Sequence, residues 1–132
     1  MDFCDDLETK ILDIFLLSGT GVIAAPAVKV RLYLADPTDT PTTANEVQAG
    51  LTAGGYVAGG FAATFGGGPN PVANSGDITF PAATLAWGTI THLVVQGGTG
   101  DFLFKGAFTT SKTVGVGDQL VIKSGALVIG TD

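Results

Sequence analysis

The run Asp77–Gln119, DITFPAATLAWGTITHLVVQGGTGDFLFKGAFTTSKTVGVGDQ, alternates short β-type segments with Gly, Pro, Asp and Thr punctuation. That is the pattern of consecutive strands in one antiparallel sheet system. Asp77–Phe80 reads as a strand that Pro81 ends or marks as an edge. Trp87, in LAWG, precedes Thr89–Gln96, where Ile90 and the run Leu93, Val94, Val95 offer core side chains, and Trp87 itself is expected as a core or rim anchor. His92, the single histidine, is read in phase with Ile90 and Val94 and hydrogen-bonded within the sheet. It has no Ser or Cys partner at an identifiable spacing and no second histidine, so it is not assigned to catalysis or metal binding. GGTGD makes the next turn, and Phe102–Phe108 gives a strand with Phe102, Phe104, Gly106 and Phe108 on one side and Leu103, Lys105 and Ala107 on the other. TTSKT carries on to Val114 and Val116, GVGDQ turns the chain, and LVIKSG and ALVIG close it.

Upstream, Val28–Ala35 alternates cleanly. Val28, Val30, Leu32 and Leu34 point one way and Lys29, Arg31 and Tyr33 the other, as in a half-buried strand. The segment DPTDTPTTANE (36–46) has two prolines, threonines and acids and is expected as an exposed loop that builds no core. Asp36, Asp39 and Glu46 lack the Gly-punctuated ligand spacing of a calcium loop, and a solvated loop is the expectation. Between Val47 and Phe65 repeated glycines break the runs, leaving a short bulged strand around Phe61, Ala63 and Phe65. GGGPNPVANSG (66–76) reads as a turn-rich loop; it has no lysine and no helix after it, so it does not cradle phosphate. At the amino end, Phe3, Cys4, Leu7, Ile11, Ile14 and Phe15 share one face of a helix over residues 2–18, with Asp2 as its cap and Gly19 placed to end it. Leu12 and Leu16 project from the opposite face, with Leu17 near the boundary. A helix apolar on two faces buries both, either by filling one end of its own sandwich or by docking one face on a neighbouring subunit, in which case Leu12, Leu16 and Leu17 are the candidate partner interface.

At 132 residues the chain fits a single domain, residues 1–132, with the sandwich spanning 28–132. Only 14% of residues are charged, against about 25% in an ordinary soluble domain, which suggests a chain packed against neighbours. The net charge of −6 disfavours a direct grip on nucleic acid. A lone cysteine, Cys4, rules out an intrachain disulfide framework and is expected to be a small buried apolar residue. No run approaches the roughly 18–20 apolar residues needed to cross a bilayer, and no membrane partner is expected. The acidic start MDFCDDLETK is unlike a signal peptide, so synthesis and assembly in a cytoplasm is the expectation. No catalytic, cofactor-binding or metal-binding residue is assigned.

Seven or eight short strands with one helix imply a mainly β fold: an antiparallel β-sandwich of jelly-roll or Greek-key type with one N-terminal amphipathic α-helix. The expected inner faces comprise Val28, Val30, Leu32, Leu34, Phe61, Phe65, Ile78, Phe80, Ile90, Val94, Phe102, Phe104, Phe108, Leu120, Ile122 and Leu127. Trp87, Tyr33 and Tyr56 are too dispersed to predict an aromatic sugar-binding platform.

ITFPAATLAWGTITH and FLFKGAFTTSKTVGVGDQLVIKSGALVI, after an amphipathic helix and the strand VRLYLADPTD, resemble small tailed-phage virion proteins, the tail-fibre-like or virion structural proteins, similar in size to capsid decoration (cement) proteins. The resemblance covers nearly the whole chain and is strongest over Ile78–Leu127. The turn GGTGD and the loop 66–76 depart from the family pattern. What the resemblance implies is a non-enzymatic virion protein on the capsid exterior, a homo-oligomer with a trimer favoured, bound to the major capsid protein and stapling the shell. The alternative it implies is a tail-fibre or receptor-binding tip that recognises a host surface through loops such as 36–46 and 66–76. No coiled-coil stalk or internal repeat is present in the sequence to build a long shaft. Changing Leu12 and Leu16 together to Asp is predicted to leave a folded sandwich that no longer assembles; unaltered assembly of that variant rejects the helix interface.

Overall fold

The computed structural model describes residues 2–9, 28–67, 71–98 and 100–129. In chain order its strands are β1 (Asp2–Phe3), β2 (Lys29–Tyr33), β3 (Phe61–Ala62), β4 (Phe65–Gly67), β5 (Val72–Asn74), β6 (Ile78–Thr79), β7 (Gly88–Gln96), β8 (Phe102–Val114), β9 (Val121–Ile122) and β10 (Val128–Ile129). The fold is mainly β, and every strand pairing is antiparallel. One five-stranded sheet, ordered β1-β8-β7-β2-β3, forms a continuous layer. Its partner layer is divided into a three-stranded sheet, β10-β5-β4, and a two-stranded one, β6-β9. The core between them unites Val30, Leu32, Ile90, Leu93, Val95 and Val114 of the large sheet with Ile78, Leu127 and Ile129 of the small ones and Phe80 and Leu120 beside them.

The amino end begins differently from the expectation. Asp2 is not a helix cap but a strand residue opposite Lys105, and Phe3 stands opposite Phe104 with the two rings edge to face at 5.3 Å. Helical structure starts at Asp5, where the Cys4 carbonyl accepts the amides of Leu7 and Glu8. Phe3 thus adds to a row of side chains that crosses the sheet on its core face: Phe3, Phe104, Val95, Val30, Phe61. Leu12, Leu16 and Leu17 lie outside the described residues.

Two irregularities in the β7–β8 ladder account for the largest departures from simple alternation. Ile90 pairs with Lys112 but His92 pairs with Ala107, so β8 advances five residues while β7 advances two. An odd number of extra residues reverses side-chain phase across a ladder. Here β7 takes the reversal: Ile90 faces the core before it, and Leu93 and Val95 face the core after it. His92 and Val94, expected in phase with Ile90, therefore lie on the opposite face of the sheet. The second irregularity, between Val95/Phe104 and Gln96/Phe102, turns Phe102 out of the core as well. Its ring lies instead under the Arg31 guanidinium, 5.3 Å from the ring centroid.

The large sheet is also covered on that second face. Arg31 and Tyr33, read as the polar side of a half-buried strand, are buried along with Val94, Leu103, Cys4 and Leu7. This explains why Leu93, Val94 and Val95 are all buried in succession, as expected of a strand with protein on both sides. Leu34 is the converse. β2 ends at Tyr33, the Leu34 amide bonds the Asn45 carbonyl, and the side chain is exposed.

The segment 36–46 is not a free loop. Pro37, Pro41 and Glu46 are buried, Asp36 and Asp39 both reach Lys105 at 3.2 and 3.3 Å, and the Asp39 carbonyl accepts the Asp5 amide. Part of the expected loop 66–76 is likewise strand: Phe65–Gly67 and Val72–Asn74 pair as a hairpin, with residues 68–70 outside the described set. Asn74 holds that hairpin to the carboxyl end. Its amide donates to the carbonyls of Gly76 and Lys123, and its carbonyl oxygen accepts the Leu127 amide.

Gly60, just before β3, shows how closely the loops approach the sheet. At φ +87°, a Cβ there would fall 2.4 Å from the Val30 carbonyl oxygen and 2.7 Å from Arg31 Cγ. Backbone cannot yield at that distance. Gly60→Ala is predicted to lower stability by more than about 1 kcal/mol in denaturant unfolding, from strain and clash combined.

Candidate functional surface

The most concentrated chemistry in the chain is internal. Arg31 donates from Nε to Glu46 Oε1 at 3.0 Å and from Nη2 to Oε2 at 2.6 Å, a two-pronged pair, with the residues 7% and 2% exposed. Tyr56 Oη donates to Glu46 Oε1 at 2.7 Å and accepts the Leu32 amide at 3.1 Å. Arg31 Nη1 reaches Gln96 Oε1 at 3.2 Å. The pair keeps the guanidinium charged, because hydrogen bonding and attraction to Glu46 outweigh the burial that opposes it. Burial and the neighbouring Glu46 carboxylate push Tyr56 well above the ordinary phenol range, so its proton stays in the Glu46 bond. These groups spend their hydrogen-bonding capacity on one another and on backbone, which makes the assembly a fastener between β2 and the loops. Tyr56→Phe leaves the Leu32 amide without its acceptor and is predicted to cost about 1–3 kcal/mol by chemical denaturation.

The other residues weighed for chemistry are similarly engaged. His92 Nδ1 and Thr91 Oγ1 lie 2.8 Å apart, and the ring is flanked across the ladder by Tyr33 and Ala107. Asp36 and Asp39, considered as calcium ligands, hold Lys105, and Glu46 holds Arg31, so the three carboxylates face cations of the chain itself rather than one another. The Thr38 amide and Lys105 keep the Asp36 carboxyl below its ordinary range. Among the described residues no group of three or more His, Cys, Asp or Glu side chains is placed to hold a metal ion. Cys4 is buried, and desolvation, with Asp39 adding to it, pushes its thiol up to about 12. The thiolate is the reactive form, so Cys4 is predicted to resist thiol reagents in the native protein and to react only on unfolding, as a timed thiol titration with and without denaturant will show.

The aromatic residues close on themselves as well. Tyr56, Phe61, Phe80 and Trp87 form a ring of edge-to-face contacts at 5.4, 4.6, 6.4 and 5.6 Å, and Trp87 Nε1 donates to the Gly54 carbonyl at 2.8 Å. Trp87, Tyr33 and Tyr56 are all buried, so none of the three offers a stacking face to solvent.

The exposed surface carries large apolar side chains beside its charged ones. Among the described residues six large apolar side chains are exposed, and five of them, Leu34, Leu51, Val57, Leu85 and Val116, are on the connections 34–60, 80–87 and 115–120. Those connections are joined edge to edge. The Thr84 amide bonds the Gly54 carbonyl at 2.9 Å, Gly117 bonds Ala83 at 2.7 Å, and Gln48 Nε2 bonds the Ala86 carbonyl at 3.0 Å. An open cleft of about 600 Å³ lies elsewhere, between β8 and the carboxyl-terminal strands, with Phe108, Thr109, Lys112, Ile122 and Val128 in its walls. The sequence pattern passed over Leu51, Val57 and Leu85 because each stands alone among Gly, Ala and Thr; their one signal is that residues 47–60 and 80–87 contain no charged residue.

The family described as Podophage GP4 fiber I protein gp80 matches residues 2–130, nearly the entire chain. No curated protein matches the chain significantly.

Proposed function

The chain belongs to the Podophage GP4 fiber I protein gp80 family, phage virion structural proteins, and on that premise we propose that it is a non-enzymatic subunit of a virion fibre. The observation that carries this reading is the extent of the match, residues 2–130, which takes in the sheets, the buried polar fastener and the loop end together. A compact antiparallel block suits the role of a fibre base, joint or tip, where many weak contacts in a symmetric assembly give long-lived attachment.

The second reading is a capsid decoration protein, a homotrimer seated on the major capsid protein. It is favoured by the low charge content of the chain, 14% of residues, which suits a surface covered by neighbours. Leu12, Leu16 and Leu17 remain the proposed contact of that reading, and the exposed loops the proposed host-facing surface of the fibre reading.

Quantitative protein stoichiometry of purified particles separates the two. A fibre subunit is expected in small symmetric multiples beside the tail proteins, and cryo-electron microscopy will place it in a projection from the particle. A copy number comparable with that of the major capsid protein, with density spread over the head, overturns the fibre assignment in favour of decoration.

A further inference from the structure

On one side the large sheet ends in an open edge. β1 meets β8 only at Phe104 and Lys105, and among the described residues no strand but β7 pairs with β8 from Gly106 to Val114. Ala107, Thr109, Thr110, Ser111, Lys112 and Thr113 are exposed along this stretch. The cleft of about 600 Å³ lies directly beside it, between β8 and the layer that carries β9 and β10, with Phe108, Lys112, Ile122, Ala126 and Val128 in its walls. Its position follows from the facing of β8. Phe104 and Gly106 stand opposite the core residues Val95 and Leu93, and Lys112 stands opposite the core residue Ile90, so all three turn toward the space between the layers. Gly106 puts no side chain into that space, and Phe108 is only half-buried in it.

A free strand edge presents main-chain N–H and C=O groups at the repeat of an extended polypeptide. Side chains of a strand paired there alternate in direction, and every second one enters the cleft. The main-chain row favours a peptide over a saccharide or a lipid, neither of which matches its spacing. Charge narrows the peptide further. In a chain of net charge −6, Lys112 makes no ion pair among the described residues, and no carboxylate among them lines the cleft. An acidic side chain entering there gains the Lys112 ammonium as its partner, whereas a basic one meets like charge. The same lysine argues against a second copy of β8 at this edge, because an inward-pointing cation on an edge strand is carried into such a pairing twice.

We infer that the β8 edge from Gly106 to Val114, with the cleft beside it, is a strand-addition site for an extended segment of a different protein, one whose inward side chains are apolar with a single acid among them. The apolar side chains cover Phe108, Ile122 and Val128, and the acid meets Lys112. This goes beyond the fibre reading, since it names a site and the chemistry of its occupant wherever on the virion the protein resides.

Nuclear magnetic resonance and amide hydrogen exchange of the full chain are the test, with the end-capped peptide Thr-Glu-Thr-Val-Thr-Val-Thr as the probe. Laid antiparallel to β8, the peptide sets its Glu toward Lys112 and its valines toward Phe108. Saturable shifts at the cleft residues and slowed exchange of amides within Ala107–Thr113 are expected. A fully N-methylated version, with the same side chains and no amide donors, is expected not to bind. Lys112→Glu, with unchanged circular dichroism, is expected to weaken the Glu peptide and to strengthen a version carrying Lys in its place, each by about two- to fivefold, as for a solvent-exposed ion pair. Absence of saturable shifts with the Glu peptide overturns the inference. So does equal binding of the N-methylated version, or a preference between the Glu and Lys peptides that Lys112→Glu leaves unchanged. Protection of the same amides by raising the concentration of the chain alone gives the edge to a second copy, and cleft shifts with a uronic-acid oligosaccharide but not with the peptide give the cleft to carbohydrate; either result equally overturns it. None of these outcomes bears on particle stoichiometry, so the fibre assignment stands or falls separately.

Discussion

The pairing of Arg31 with Glu46 is the contact on which the arrangement of the loops depends. Arg31 belongs to β2, the strand between β7 and β3, and Glu46 lies midway along the long connection 34–60 that follows it. Tyr56 ties the later part of that connection to the same carboxylate and to the backbone of β2. A buried ion pair of this kind does not by itself guarantee net stability, because desolvation offsets much of the attraction. Losing one partner, however, strands a charge in the interior, at a cost of about 3–5 kcal/mol. The network therefore penalises every loop arrangement in which Glu46 is elsewhere. The left-handed turn at Gln48, Ala49 and Gly50 follows directly, with Gly50 so close to Glu46 that a Cβ would lie 2.7 Å from its Oε2.

From that fixed point the aromatic ring of Tyr56, Phe61, Phe80 and Trp87 joins the loops to the core. Trp87 then leads into β7, and β7 organises the large sheet. Polar fastening on one face of β2 and apolar packing on the other act through consecutive residues, Arg31 and Leu32. The outward face is what remains after this inward commitment. The Arg31–Glu46 pair and the four-ring aromatic cluster hold the subunit together from within, while Leu51, Leu85 and Val116 stay exposed on the loops.

Much of this could be read from residue order. The strands around Gln96 and Phe102, the anchoring role of Trp87 and the burial of Cys4 follow from local alternation, turn chemistry and residue type, and the structure agrees at each. What could not be read depends on partners distant in sequence. Nothing local announces that β8 gains residues against β7 between Ala107 and Lys112, yet that gain reverses the facing of His92 and Val94. Arg31 and Tyr33 resemble the wet side of a strand until the chain from Pro37 to Glu46 is laid over them. Leu51, Leu85 and Val116 were passed over for a different reason: exposed apolar residues standing singly are ordinary in any protein, and only the backbone hydrogen bonds that join their connections bring them to one end of the fold.

The excess length of β8 has one more consequence. Between Ala107 and Lys112 the strand already carries residues that the ladder does not match one to one, and Thr109, Thr110 and Ser111 are exposed there. Added sequence at this point lengthens an existing irregularity instead of shifting the pairing on either side. The segment is thus a natural place for lineages to diverge in length, and a suitable port for displaying a foreign epitope on an intact subunit.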